Sequence, residues 1–238
     1  MSDRYSYDAE LDSYHGVAQS SRGQFIARTY AHLFGAIVLF VLIQVAIFQS
    51  GAAESISRAL LGFRWSWLLV LGAFMLFGNL AIHVAHSGQS RGAQYAALVF
   101  FVAIQALIFV PLLYIANRMT PGHGITQSAA IVTLGGFGLL TAIVFLTRAD
   151  FSFLRGILFW VGICALLLIV GSIVFGFNLG LLFSVAMVAF AGAYILYDTS
   201  NVLHHYREDQ YVGAALELFS SVALMFWWVL RIFMQARD

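Results

Sequence analysis

The chain has 238 residues, 61% of them hydrophobic and 10% charged, against about 45–50% apolar and about 25% charged in soluble domains. That excludes a soluble globular fold and leaves one integral membrane domain. A net charge of +1, with no basic stripe of the kind phosphate contacts require, excludes a nucleic-acid partner.

Residues 1–28 are polar and contain Asp3, Asp8, Glu10 and Asp12. A cleavable signal would begin basic and turn apolar, so the expectation here is a mobile polar tail ahead of a membrane domain at 29–238. Seven apolar segments then follow, each near the length of about 20 residues that crosses a bilayer. They run about Thr29–Gln49, Trp67–His86, Ala93–Ala116, Ser128–Thr147, Phe153–Phe175, Leu179–Thr199 and Val212–Met234. Backbone groups in lipid find no water to bond, so these are helices. No period-2 alternation marks a barrel.

Between the fifth and sixth segments only Gly176–Asn178 remains, which forces a tight antiparallel hairpin. Trp65, Trp67, Tyr114, Tyr206 and Tyr211 sit at segment ends, as interfacial aromatics do. Small residues in "TLGGFG" (Thr133–Gly138) and "AFAGA" (Ala189–Ala193) allow close helix approach. Pro111 interrupts the third segment. With the N-terminus inside, the inner side collects Arg4, Arg22, Arg28, Arg91, Arg148, Arg155 and Arg207, and the outer side Arg58, Arg64, Arg118, Arg231 and Arg237. That excess leans toward a cytoplasmic N-terminus. All twelve basic residues are arginines, as in GC-rich bacterial genomes, and the inner membrane of a bacterium is the expected location. The lone cysteine, Cys164, has no partner for an intramolecular disulfide and reads as a small core residue.

Ionisable residues at membrane depth are costly and mark functional sites by default. Arg155 lies at a helix start and reads as an interfacial anchor. His32 reads as an imidazole bonded to a neighbouring helix. His83 and His86 share a helix face at i, i+3, and His204 with His205 would complete a metal set. No cysteine or carboxylate joins them at zinc spacing, however. Asp198 and Glu217 flank the loop Ser200–Tyr211, one on the sixth segment and one on the seventh, so antiparallel neighbours bring them to similar depth. Glu217, Ser220 and Ser221 form one polar face, with Arg231 farther along it. Two close carboxylates cannot both ionise cheaply, so they share a proton. As oxygen ligands they also suit transient Ca²⁺. The alternative is two carboxylates in headgroup water with no role.

The stretch "YILYDTSNVLHHY" (Tyr194–Tyr206) resembles the signature of the Bax inhibitor family, whose sixth helix carries Leu-Tyr-Asp-Thr; here that is Leu196–Thr199, followed by Asn201. The closing "VLRIF" (Val229–Phe233) and "AIQALIFVPLLYIA" (Ala103–Ala116) resemble the same family. The resemblance implies an all-α integral membrane protein, a seven-transmembrane-helix bundle with the last helix central. It also implies a pH-dependent calcium leak, gated by aspartates on the last two helices and latched by arginines. Some bacterial relatives bind a membrane-anchored quality-control protease. Asp198 matches the first aspartate and Arg231 the arginine of the last helix. Ser221 stands where the second aspartate belongs and Leu224 where an asparagine does. The second helix carries Asn79, His83 and His86 in place of the usual arginine. Glu217 lies one turn, about 6 Å, from Ser221 and is the expected substitute. No nucleophile elbow or facing pair of intramembrane aspartates accompanies these residues, so the expectation is not an enzyme. It is a pH-sensitive cation leak without a resident cofactor, or else a non-conducting regulator of a membrane protease or other membrane partner.

Overall fold

The structure, a computed structural model, describes residues 2–62, 66–86, 90–120 and 124–236, with side chains from Ser21 onward, some between 67 and 86 excepted. Among the described residues there are eight helices and no strand: α1 (Ser2–Gln49), α2 (Ala52–Leu61), α3 (Ser66–His86), α4 (Arg91–Met119), α5 (Gly124–Thr147), α6 (Leu154–Phe175), α7 (Gly180–His204) and α8 (Tyr211–Gln235). Six of them are long and apolar enough to cross a membrane: α1 from Ser21, α4, α5, α6, α7 and α8. The second expected segment is the 21-residue helix α3. Arg64 and Trp65 lie outside the described residues, as do the side chains of Trp67 and Arg4.

The sequence reading differs from the structure at two helix ends. α1 is helical from Ser2, so a boundary at residue 28 falls inside a continuous helix. Phe25 is buried in the core, and Arg22 donates to Val202 O at 2.7 Å and to Tyr206 O. These are carbonyls at the C-terminal end of α7 that lack an intrahelical partner, where a cation is favoured. The sixth segment, expected to stop at Thr199, continues as α7 to His204. Asp198 is therefore an interior helix residue and not a last-turn one.

α2 fills the interval after α1. It is a short amphipathic helix with Ala53 and Ser57 buried and an exposed Glu54–Arg58 pair. The tight α6–α7 hairpin is realised by glycine: Gly176 closes α6 at φ +77°, its N–H bonding Ser172 O, and Gly180 opens α7 at φ +66°. Both lie in the left-handed region where a Cβ is penalised.

α8 is the most deeply buried of the six candidate crossings, packed by α1, α3, α4, α5 and α7. Aromatic rings join three of these helices. Phe109 of α4 stacks on Phe226 at 5.6 Å and meets Trp227 edge-on at 5.0 Å, while Phe40 of α1 meets Phe109 edge-on at 5.2 Å. Helix association in lipid relies on such packing because the surrounding tails are equally apolar. Pro111 removes the donor for Leu107 O, and beside that gap Gln44 of α1 donates to Ala106 O at 2.6 Å.

The two small-residue motifs divide by position. A Cβ at Gly192 would meet Leu140 at 3.3 Å and Met225 at 3.7 Å, and one at Gly136 would meet Met225 at 3.4 Å, whereas Gly135 and Gly138 face open space. Gly192→Leu is therefore expected to overpack the α5–α7–α8 junction at a cost of about 1–3 kcal/mol, lowering the thermal midpoint in detergent. Gly138→Leu serves as the control and is expected to leave it unchanged.

Candidate functional site

Asp198 of α7 is 5% exposed. It is held there by the hydroxyl of Ser221 on α8, which donates to Asp198 Oδ2. Antiparallel packing of α7 on α8 creates this contact, because the two residues lie at matching depth on either side of the Tyr206–Gln210 connection. Glu217, one turn earlier on α8, interacts electrostatically with Asp198, and its Oε2 accepts the hydroxyl of Tyr206. Burial, and then the Glu217 carboxylate, push the Tyr206 hydroxyl up from its ordinary range, so Tyr206 remains a donor. The arrangement is two carboxyls, each met by a hydroxyl, bridging the last two helices.

Three more oxygens approach this pair. Tyr30 of α1, Thr141 of α5 and Thr199 of α7 bring buried hydroxyls toward one another, with Asp198 within electrostatic reach of Tyr30. None of the three closes a hydrogen bond of full geometry. Buried polar atoms are ordinarily paired, so this concentration is unusual in an oily bundle, and it lies where α1, α5 and α7 face α8.

The remaining expected site residues are dispersed. Arg231 lies ten residues, about 15 Å along the axis, beyond Ser221, with its guanidinium 5.4 Å from the Trp228 ring centre. It does not join the Asp198 cluster, because that length of α8 separates it from Ser221, the residue that meets Asp198. Ser220 is half-buried beside Ser221. Asn201 is buried, and its carbonyl receives the N–H groups of His205 and Tyr206, each at 2.9 Å, capping α7. His83 is exposed on α3, and the His86 side chain lies outside the described residues. No group of three His, Cys, Asp or Glu side chains with metal-binding geometry occurs among the described residues. Two carboxyls and a hydroxyl at Asp198 fall short of the 6–8 oxygens of a resident Ca²⁺.

Tyr206 and Tyr211, read as headgroup anchors, are turned into the bundle. Tyr206 serves Glu217, and Tyr211 lies under Arg91, 4.8 Å from its ring centre, with its hydroxyl 3.2 Å from that of Tyr95. His32 meets the hydroxyl of Tyr95 on α4 at 3.2 Å, the neighbouring-helix bond expected of it.

Sequence reasoning missed Asp150, in the α5–α6 connection. Its Oδ1 accepts from Ser152 N at 2.8 Å, from Ser200 Oγ at 3.3 Å and from His205 Nε2 at 3.2 Å. Asp150 thereby ties that connection to the last turns of α7, just beyond Asp198. The Asp-Phe-Ser turn was a visible local signal, but its long-range partners were not. The Ser152 N–H, and then His205, hold the Asp150 carboxyl down to about 2, from an ordinary 3.8. A depressed carboxylate contributes stability above its unfolded pKa and loses it as pH falls through the folded one. Thermal melting of the solubilised protein is expected to lose stability between about pH 4 and 2, and Asp150→Asn to flatten that part of the profile.

The family model described as "Inhibitor of apoptosis-promoting Bax1" matches residues 22–238. The chain is similar to Bax inhibitor 1 of Schizosaccharomyces pombe, at 30% identity over 178 residues, covering 70% of this chain and 61% of that protein. It is similar to the BI1-like protein of Arabidopsis thaliana, at 30% over 223 residues, covering 90% and 81%. An uncharacterized protein of Pseudomonas aeruginosa is 36% identical over 115 residues, covering 47% and 50%. The chain thus spans about three fifths of the fission-yeast relative and half of the Pseudomonas one.

Proposed function

The chain belongs to the Bax inhibitor family, and on that premise we propose that it is a pH-sensitive cation leak, with calcium as the conducted ion. In this reading α3 supplies a seventh crossing, α8 is the central helix, and the Asp198–Ser221 contact is the closing latch. The observation that carries the reading is a carboxyl buried deep in a membrane helix and hydrogen-bonded to the next one. Such residues are retained at a cost and line ion or proton paths. Support comes from the buried hydroxyls of Tyr30, Thr141 and Thr199 beside it, which offer a hydrated ion oxygen contacts within the apolar bundle.

The latch works by charge. While Asp198 is neutral, one hydroxyl from Ser221 satisfies it and α7 stays against α8. Once ionised, it adds a charge beside Glu217 in a low-dielectric setting, and one hydroxyl cannot compensate that. Separation of the helices, hydration, or a cation relieves it. Glu217 takes over part of the role of the second family aspartate, whose position is Ser221. Arg231 has no part in the latch. The reading is non-catalytic and places the protein in a bacterial inner membrane with the N-terminus cytoplasmic, as the arginine excess suggests.

A second reading, a non-conducting regulator that binds a membrane-anchored protease or another membrane partner, is favoured by one observation: Ser221 leaves a single carboxylate in direct contact across α7 and α8. Calcium-dye flux from proteoliposomes at pH 6 and pH 8 separates the two. The leak reading expects flux that differs severalfold between the two values. It expects Asp198→Asn to bring their ratio to about one and Glu217→Gln to shift it. Absence of flux at both values leaves the regulator, and an unchanged ratio in Glu217→Gln removes Glu217 from the latch.

A further inference from the structure

Tyr211 opens α8 and Arg91 opens α4. The Tyr211 ring, itself buried, carries two exposed guanidiniums: that of Arg91 lies 4.8 Å from its centre and that of Arg28, on α1, 5.9 Å. The acidic side chains of the adjoining connection are engaged elsewhere, Asp209 with Arg207 and Glu208 with the Ser21 hydroxyl. Among the described residues no carboxylate lies within ion-pair distance of Arg28 or Arg91. Arg91 spends one nitrogen on the Asp209 carbonyl, at 2.8 Å. Two like charges drawn to one ring repel each other, and an anion between them relieves both.

The two arginines head matching rows. On α1, Arg28 is followed at intervals of four, three and four residues by His32, Gly35 and Leu39. On α4, Arg91 is followed at the same intervals by Tyr95, Leu98 and Val102. Such spacing keeps each row on one helix face, over about 16 Å. The rows meet where His32 stacks on Tyr95, at 5.5 Å between ring centres. Beyond these rings a trough of about 290 Å³ runs between the two helices. Leu98 and Val102 are buried in its floor, while Gly35 and Val99 are exposed at its rim, so it opens onto the bilayer.

The rings at the neck keep their donors to themselves. His32 Nδ1 is 2.7 Å from Arg28 O, and a carbonyl only accepts, so this nitrogen carries the proton of the neutral ring. Nε2 therefore accepts the Tyr95 hydroxyl, and the Tyr95 oxygen in turn accepts the Tyr211 hydroxyl, each at 3.2 Å. The guanidiniums are left to hold a ligand.

We propose that this stripe binds one anionic phospholipid from the leaflet at the Arg28–Arg91 end, its phosphate between the two guanidiniums and one acyl chain in the α1–α4 trough. Guanidinium forks match phosphate oxygens, and basic pockets between membrane helices suit such headgroups. A choline or ethanolamine headgroup brings its own cation, for which the Tyr211 face is already taken and no carboxylate is free. At about 30 Å³ per water-sized group, the trough takes on the order of ten methylenes, one chain and not two. The site shares no residue with the Asp198 latch, and lipid binding is read without ion flux, so it stands or falls apart from the leak.

The test uses the full chain, purified in mild detergent and titrated with phosphatidylglycerol or with phosphatidylcholine of the same chains. Native mass spectrometry counts the lipid bound. One phosphatidylglycerol is expected to bind saturably, on the order of twentyfold more tightly than phosphatidylcholine, about fivefold from each guanidinium. Arg28→Gln is expected to lose about fivefold for phosphatidylglycerol and to leave phosphatidylcholine unchanged. Arg155→Gln removes the same charge at the same end of the bundle, on a helix that does not line the trough, and is expected to change neither. Gly35→Leu keeps both arginines and meets no neighbour, since a Cβ there has nothing within 4 Å. By filling the trough it is expected to weaken phosphatidylglycerol about tenfold, the loss of roughly two buried methylenes. Equal affinity for the two lipids, equal losses in Arg155→Gln and Arg28→Gln, or unweakened binding in monodisperse Gly35→Leu protein overturns the site. Each of these leaves only a general attraction of anionic lipid to basic residues.

Discussion

A carboxyl group surrounded by apolar helices can be kept there only if a donor on a facing element meets it, and Ser221 of α8 does this for Asp198 of α7. Much of the surrounding architecture bears on that contact. The register of α7 against α8 is set by the short connection between them. Arg22 of α1 takes up the carbonyls at the end of α7, and Tyr206 takes up the second carboxyl, Glu217. Asp150 ties the α5–α6 connection to Ser200 and His205. Elements from across the chain thus converge on the last two turns of α7, where a change in charge at one residue alters the fit of two helices.

On the side of α8 that faces α1 and α5 the surroundings differ: the lining is aromatic and aliphatic, with two buried polar side chains, Gln44 and Thr133. Pro111 interrupts the α4 ladder at Leu107 O, one residue from the Ala106 carbonyl to which Gln44 of α1 donates. An amide that would otherwise avoid hydrocarbon is thereby anchored, with its other atom unmet.

The helical class was legible because runs of some twenty apolar residues in lipid have one backbone solution. The α6–α7 hairpin was legible because only Gly176–Asn178 separates two apolar segments. Asp198, Glu217 and Ser221 were legible as polar residues in apolar surroundings, and the short loop placed α7 beside α8, but the partner expected for Asp198 was Glu217, whereas the direct bond comes from Ser221. Other features were not readable, for physical reasons. Arg22 reads as part of a polar tail until α7 supplies two carbonyls 180 or more residues away in sequence. Asp150 reads as a loop residue until Ser200 and His205 reach it. Arg231 falls near the stripe of Glu217 in projection, but rotation about an axis says nothing of the distance along it. Tyr206 and Tyr211 fit an interfacial belt by position, and only the packing of α1 and α4 shows them turned inward.

The coupling between Asp198 and Ser221 is the quantity on which the account rests, and a double-mutant cycle measures it. Thermal unfolding in nanodiscs near pH 6 would be compared for the native chain, Asp198→Asn, Ser221→Ala and the double substitution. The account predicts that the effects are not additive, with an interaction of about 0.5–3 kcal/mol, as for directly bonded neighbours. Strict additivity would mean that the two side chains act independently, and that α7 is held to α8 by apolar packing alone.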